Sequence, residues 1–228
     1  MLQARRHFHR ELVLLEEDVL QLGERAAKAL EKAMRALVHR DGGVVNEVIE
    51  GDDELDEMYV DIEQRILSLL ATQTPVASDL RLISAILHSN LHLERVGDMA
   101  VNIAKVTSAT MDLPRSDTVL SHLQEMGNLV LKMLRVALDA FSLRDAALAE
   151  KLPDMDEPVD RLNRNMYREV VALAHDQGLL DWGIRMNMVS RQLERVGDHA
   201  VDIGEQVAFL LTGEFREFTD ASHPTAAE

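Results

Sequence analysis

The sequence predicts an all-α protein made of two tandem three-helix bundles, with six long antiparallel helices. The 228 residues are 46% hydrophobic but only 4% aromatic, and they include only 5 prolines, which is typical of long helices. Apolar residues recur every three or four positions over long stretches. Residues 93–103 and 193–203 are identical at nine of eleven positions. This internal repeat indicates that one three-helix unit is built twice.

The first half, residues 1–112, is predicted to contain three amphipathic helices. The apolar periodicity begins at Leu12, and Asp41-Gly42-Gly43 interrupts it. Thr74-Pro75 offers an N-cap and a first-turn proline for the third helix. The three helices are predicted over about 12–40, 52–71 and 75–109.

The second half, residues 113–213, repeats this pattern. Arg144-Asp145 follows Arg40-Asp41 by 104 residues, and the offset falls to 100 only at the last helix. Four residues are therefore missing from the second connection. The last helix is predicted over about 181–212 and is closed by Gly213.

Two segments of the second half carry separate predictions. Proline disfavours an interior helical turn, so we expect a kink near 153–156, with Pro158 in the first turn of the restarted helix. Residues 214–228 lack periodicity and are predicted to be a flexible tail.

Acidic residues four positions apart recur on the predicted helices. Like charges at this spacing repel by about 0.2 to 0.5 kcal/mol on a free helix, and a hard cation offsets that repulsion. The alternative is a solvated acidic face that recruits basic partner surfaces. If the second and third helices of each half turn these faces together, each half offers four carboxylates: Asp52, Asp56, Glu94 and Asp98, and then Asp156, Asp160, Glu194 and Asp198.

Other residues in the repeat qualify this hypothesis. A mid-helix glycine costs about 1 kcal/mol relative to alanine, so Gly97 is predicted to admit a close neighbour. Arg95 and Arg195 lie three residues before an aspartate and could pair with it. His88 and His92 are also four apart, but they lie off the acidic line and are interpreted as core or surface histidines.

Composition excludes several classes of function. A net charge of −16 disfavours nucleic acid and anionic membranes as partners. The absence of cysteine removes disulfides and thiol nucleophiles. The longest stretch without charged residues, 66–78, is 13 residues, against the roughly 20 that a spanning helix needs. Because acidic residues also interrupt the N-terminal segment, we expect no signal peptide, no membrane insertion and a cytoplasmic location.

The chain resembles the PhoU proteins, accessory regulators of bacterial phosphate uptake, from about Phe8 to Leu211. The resemblance rests on the paired Glu-Arg-Val-Gly-Asp cores at 94–98 and 194–198, on Asp79-Leu80-Arg81 and on the Asp-x-x-x-Asp pairs. It implies a homodimer and a negative regulator of the phosphate-starvation response. The implied partners are the phosphate ABC transporter ATPase and a sensor histidine kinase.

The resemblance also implies metal ions, as iron or zinc clusters, with Mn, Mg, Ni or Ca as other candidates. The implied ligand positions include the eight carboxylates, and Asn102 and Asp202 continue the two series. Asn102 departs from the pattern because it replaces the carboxylate that Asp202 supplies. Arg81, Arg95 and Arg195 are candidate contacts to these ligands or to a partner protein.

An enzymatic alternative remains open, namely a di-iron-type carboxylate bundle oxidase or a metal-storage protein. Such oxidases combine glutamates with Glu-x-x-His motifs, and no histidine here has a glutamate three residues before it. Nucleophile-elbow and phosphate-loop motifs are also missing. The sequence therefore favours a regulator that is not an enzyme.

Overall fold

The computed structural model describes residues 2–218, with side chains from residue 6. Within this range all regular structure is helical, which confirms the predicted all-α class. The helices are α1 (Leu2–His39), α2 (Gly42–Glu50), α3 (Asp52–Thr72), α4 (Ala77–Ser108), α5 (Asp117–Leu143), α6 (Ala146–Ala149), α7 (Leu152–Ala172) and α8 (Gln177–Thr212), with a 3-10 turn at Leu173–His175. None of these helices is long and apolar enough to cross a membrane.

Six of these helices are long, as predicted, and three belong to each half of the chain. In the first half α1 packs on α4 and α3, and in the second half α5 packs on α8 and α7. The halves meet where α4 contacts α8 and where α1 contacts α5. Buried apolar side chains from both halves form one hydrophobic cluster, so the two bundles lie side by side on a shared core.

The internal repeat extends to unusual backbone conformations. Arg40 and Arg144 have positive φ angles of 53° and 55°, a conformation that costs about 1 to 2 kcal/mol without glycine. The next residue in each half caps a short helix. Asp41 accepts from the first amides of α2 at 3.0 and 3.1 Å, and Asp145 from those of α6 at 2.9 and 3.1 Å. The predicted break after the first helix is therefore confirmed, and it occurs twice.

The two halves differ in where the next long helix begins. Asp52 is the first residue of α3, whereas α7 begins at Leu152, one turn ahead of the matching Asp156. The predicted kink near 153–156 is wrong, because α7 is continuous. Pro153 lies in the first turn, where an amide has no helical partner. Pro158 lies in the interior rather than in a first turn, and the carbonyl it leaves unbonded belongs to the exposed Asp154.

Three other helix starts also differ from the prediction. In the described range α1 begins at Leu2, ten residues before the apolar periodicity. Thr74-Pro75 does not cap α4, because Val76 precedes the first residue in extended conformation. α8 begins at Gln177 because Asp176 accepts a hydrogen bond from the Leu179 amide at 3.0 Å.

The segment after α8 folds back on the protein. Gly213 ends α8 with a φ of 78°, as predicted. The Phe218 amide then donates to Glu205 Oε1 at 2.7 Å, and the half-buried Phe218 ring packs on the core. Residues 214–217 are exposed and have no regular structure, so the predicted flexible tail stays a prediction. Residues 219–228 lie outside the described part.

Candidate metal-binding faces

Four carboxylates of the first half converge where the start of α3 meets the middle of α4. We call Asp52, Asp56, Glu94 and Asp98 acidic face 1. Burial raises the pKa of Asp52, and the charges of Asp56 and Asp98 add to the shift. Burial also raises the pKa of Glu94, again with contributions from the other three. The two helices therefore turn their acidic positions toward each other.

The matching carboxylates of the second half converge in the same way between α7 and α8. We call Asp156, Asp160, Glu194 and Asp198 acidic face 2. Burial raises the pKa of Asp156 to about 7, with Asp160, Asp198 and Glu194 contributing. Partial burial also raises the pKa values of Glu194 and Asp198. Neutral pH therefore leaves Asp156 only partly ionised in the metal-free protein.

The repeated glycine lies under each face and admits a neighbour, as predicted. A Cβ on Gly197 would collide with Oδ1 of Asp156, so this carboxylate rests directly on the α8 backbone. A Cβ on Gly97 would instead come within 3.0 Å of the Leu55 Cδ1 methyl. The glycine thus positions a carboxylate in one half and an apolar side chain in the other.

Among the described residues, three buried oxygens of the two faces accept no hydrogen bond: Oε2 of Glu94, Oε2 of Glu194 and Oδ1 of Asp156. The Glu94 oxygen nevertheless lies 3.4 Å from the Arg95 guanidinium. A buried carboxylate oxygen without a partner is costly, and a proton or a cation relieves that cost. The donors are all oxygens, which suits Mg²⁺, Ca²⁺ and Mn²⁺, and carboxylates also bind zinc. The residues therefore fit the metal ions that the family resemblance implies.

The arginines of the repeat behave differently in the two halves. Arg95 contacts Asp98 at 3.1 Å and Glu94 at 3.4 Å, so the predicted pairing is confirmed in face 1. Among the described residues Arg195 makes no ion pair. Arg191 takes its place in face 2 and contacts Glu194 at 2.8 Å. Arg164 also contacts Asp160 of face 2 at 3.3 Å. Face 1 therefore carries one paired guanidinium and face 2 carries two, supplied from different helical positions.

Arg81 lies far from both acidic faces. It precedes Glu94 by 13 residues on α4, or about 20 Å along the axis, too far to contact the ligands. Its guanidinium lies against Gly213 instead, where a Cβ would come within 3.1 Å of Nη1. A positive charge there faces the carbonyl end of α8, which stabilises both. Its use as a partner contact stays a prediction.

Beyond the two faces, the four-residue spacing continues to Asn102 on α4 and to Asp202 on α8, and these two residues differ in position. Asn102 is exposed at the end of the first series. Asp202 turns instead into the seam between α4 and α8, and its Oδ2 lies 3.3 Å from His92 Nδ1 and 3.4 Å from His199 Nδ1. The two histidine Nδ1 atoms are 3.0 Å apart. Asp202 therefore belongs to a mixed histidine–aspartate cluster as well as to the acidic line.

Patterns within single helices do not reveal this cluster, because its three residues come from two helices. Burial lowers the pKa of His92 to about 4, although Asp202 opposes the shift, so this imidazole is neutral at neutral pH. A signal was nevertheless present in the sequence. Residues 93–103 and 193–203 differ at only two positions, and those differences place His199 and Asp202 in the second copy. Both of these side chains face His92.

Comparison with known proteins assigns the fold to a family. The PhoU domain matches the chain twice, over residues 19–107 and 123–207. A protein of Pseudomonas aeruginosa called phosphate-specific transport system accessory protein PhoU homolog is 34% identical over 217 residues, 95% of this chain and 88% of that protein. A Thermotoga maritima protein, PhoU homolog 1, is 31% identical, covering 93% of this chain and 92% of its own length.

Solved structures give the same assignment. The crystal structure of PhoU from P. aeruginosa superposes with a TM-score of 0.87 at 34% identity, covering 91% of this chain and 100% of that one. The phosphate transport system regulatory protein PhoU from Streptococcus pneumoniae superposes with a TM-score of 0.85 at 32% identity, covering 92% and 99%. This chain, with its duplicated helical unit and paired acidic faces, belongs to the PhoU family.

Proposed function

We propose that this chain is a non-catalytic negative regulator of phosphate uptake. The observation that carries the proposal is the double PhoU match, joined to relatives named as accessory proteins of phosphate-specific transport. The chain would act by contacting the transporter ATPase and a sensor histidine kinase, and would hold the phosphate-starvation response off when phosphate is plentiful. The homodimer that the family resemblance implies and the cytoplasmic location expected from the sequence are part of the same proposal.

The two acidic faces are proposed to bind divalent or trivalent metal ions. The support is chemical: among the described residues, three buried carboxylate oxygens accept no hydrogen bond. Two carboxyl groups of face 1 and three of face 2 have raised pKa values. Bound metal would neutralise a concentrated negative charge. The chain's own contribution is to hold Asp156 and Glu194 in a half-buried position, where cation binding competes with protonation. In face 1 without metal, the Arg95 guanidinium already neutralises part of this negative charge.

Neutralising a face would change the surface that a partner protein meets. Charged rims act mainly on association rate and on partner choice. A face that is acidic without metal would favour a basic partner surface, and a neutralised face would not. Metal occupancy therefore offers a way to tune which partner the regulator engages.

Genetic complementation tests the regulatory role. A bacterial strain that lacks its own PhoU protein would express this chain and carry a reporter under a phosphate-starvation promoter. We expect reporter activity in high phosphate to fall back toward the level of the parent strain. The same tagged chain should capture the transporter ATPase and the kinase from the membrane fraction. Unrepressed reporter activity, with the chain well expressed, would contradict the proposal.

Elemental analysis tests the metal role independently. The chain purified without chelator should retain Fe, Zn, Mn, Ni, Mg or Ca above the buffer background. D98N and D198N should each lower that content while helical circular dichroism stays intact. Oxygen consumption with ferrous iron separates the oxidase alternative, because only that alternative predicts turnover.

A further inference from the structure

The seam between the two halves holds a cluster of metal-ligating atoms outside both acidic faces. His92 lies on α4, and His199 and Asp202 lie one turn apart on α8. The two imidazoles are largely shielded from solvent, each at 17% exposure, whereas the Asp202 side chain is 40% exposed at the edge of the seam. The three ligand atoms, Nδ1, Nδ1 and Oδ2, all lie within 4.8 Å of one another. They face one another across a helix interface.

The distances between these atoms match those of a tetrahedral metal site. Zinc binds imidazole nitrogen at about 2.0 to 2.1 Å and carboxylate oxygen at about 2.0 to 2.2 Å, so ligand atoms on a tetrahedron stand about 3.3 Å apart. The observed separations are 3.0, 3.3 and 3.4 Å. Three ligands so placed leave a fourth position open on one side.

Hydrogen bonding alone satisfies this cluster poorly. The two Nδ1 atoms are 3.0 Å apart, so only one proton can lie between them, because two would collide. A cation in the gap would instead attract all three atoms at once.

We propose that His92, His199 and Asp202 bind one divalent transition-metal ion, foremost Zn²⁺, across the α4–α8 seam. Imidazole is a ligand of choice for zinc, which distinguishes this site from the oxygen-only acidic faces. The ion ties the first half of the chain to the second. It also holds α8 in place at Asp202, one turn after Asp198 of acidic face 2. The site does not depend on the regulatory role proposed above.

The internal repeat supplies its own comparison. The positions that match His92, His199 and Asp202 carry Gln192, Met99 and Asn102. Those three side chains offer no imidazole and no carboxylate, so the repeat-related end of the seam lacks the ligand set. Of the two ends of the seam, only one therefore carries this set of two imidazoles and a carboxylate.

The repeat also provides test substitutions that this fold already tolerates. H92Q, H199M and D202N each install the residue of the matching position. Metal-stripped full-length protein would be titrated with Zn²⁺ against a chromophoric competitor, and helix content would be followed by circular dichroism. H175Q is the matched control, because His175 is exposed and bonds only the Ala172 carbonyl.

We expect H92Q and H199M to weaken the tightest zinc site by more than the roughly 10- to 100-fold that loss of an outer partner costs. D202N should weaken it less, and H175Q should leave it unchanged. X-ray absorption on the zinc-loaded parent protein should show two imidazole ligands, a readout that does not depend on variant folding. An oxygen-only shell, or parental zinc affinity in folded H92Q and H199M, would overturn the proposal.

Discussion

Acidic faces 1 and 2 belong to two copies of one repeated unit, yet only the second raises the pKa of a carboxyl group to about 7, that of Asp156. α7 begins one turn earlier than α3 in the repeat frame, so Asp156 lies within the helix whereas Asp52 opens it. Asp156 rests on the backbone at Gly197, and the pKa of its carboxyl rises to about 7. The position of a helix start can therefore change the chemistry of a side chain while the motif stays the same.

Replacing Asp156 with a neutral residue should change the free energy of unfolding more than any other substitution in the two faces. Its raised pKa means that the folded state disfavours the charged form, so its stabilising contribution is present below about pH 4 and is lost as pH rises through about 7. The difference between its pKa and the ordinary value, discounted by about half for solvent screening, is worth about 2 kcal/mol. In the metal-free protein at pH 8, D156N should raise the free energy of unfolding by about that amount.

Urea denaturation in the presence of chelator measures this effect. D52N is the matched control and should stabilise less, because Asp52 lies at the helix N-terminus, where a negative charge is favourable. The gain from D156N should shrink toward zero near pH 4, where Asp156 is already protonated. Equal gains from both variants at pH 8 would mean that the two faces do not differ.

The pH dependence of metal binding should be steeper at face 2. Metal must displace the proton from Asp156, and a pKa of about 7 leaves roughly one tenth of that carboxyl ionised at pH 6. Affinity at face 2 should therefore fall about tenfold between pH 8 and pH 6. Calorimetric titration of D98N, which leaves face 2 intact, would be set against D198N, which leaves face 1 intact. A steeper fall in D198N than in D98N would contradict the comparison.

The same glycine substitution should give different results in the two halves. In G97A the new methyl presses on Leu55, so part of the roughly 1 kcal/mol gained from a better helix former is lost, and metal binding should persist. In G197A the methyl displaces the Asp156 carboxylate and should weaken metal binding at face 2. Thermal unfolding and metal titration of both variants separate the two outcomes. Equal loss of metal from both would show that the glycines act alike.

The sequence predicted much of this arrangement because its strongest signals are periodic. Helix class, the break at Asp41 and the cap at Gly213 follow from local preferences that tertiary packing does not override. The four-residue spacing of acids also predicted that they share a helix face. The start of α7 could not be placed, because Pro153 and Pro158 are each compatible with a first turn. Which proline takes that position depends on packing.

The cluster of His92, His199 and Asp202 could not be predicted from helical periodicity either, but for a different reason. His92 and His199 are 107 residues apart, and their contact depends on how α4 and α8 cross. A pattern within one helix carries no information about that crossing. The comparison of the two repeats carries some, because the copies differ only at 99/199 and 102/202 within the eleven-residue core.

The smallest expected effect concerns Arg95 and Arg191, the two guanidiniums that contact the repeated glutamates. Arg95 contacts two carboxylates of face 1, and Arg191 contacts one carboxylate of face 2. Both guanidiniums are exposed although the glutamates they contact are largely buried, so each pair is worth about 0.2 to 1 kcal/mol. Each guanidinium competes with a cation for the carboxylate oxygens. R95Q should therefore tighten metal binding at face 1 by less than about fivefold, and R191Q should act more weakly at face 2.

R195Q is the control because Arg195 makes no ion pair among the described residues. Metal titration at low and high salt measures all three, and the gain should shrink at high salt, where exposed charges are screened. A loss of affinity in R95Q would mean that the guanidinium holds the carboxylates in place for the metal and does not compete with it.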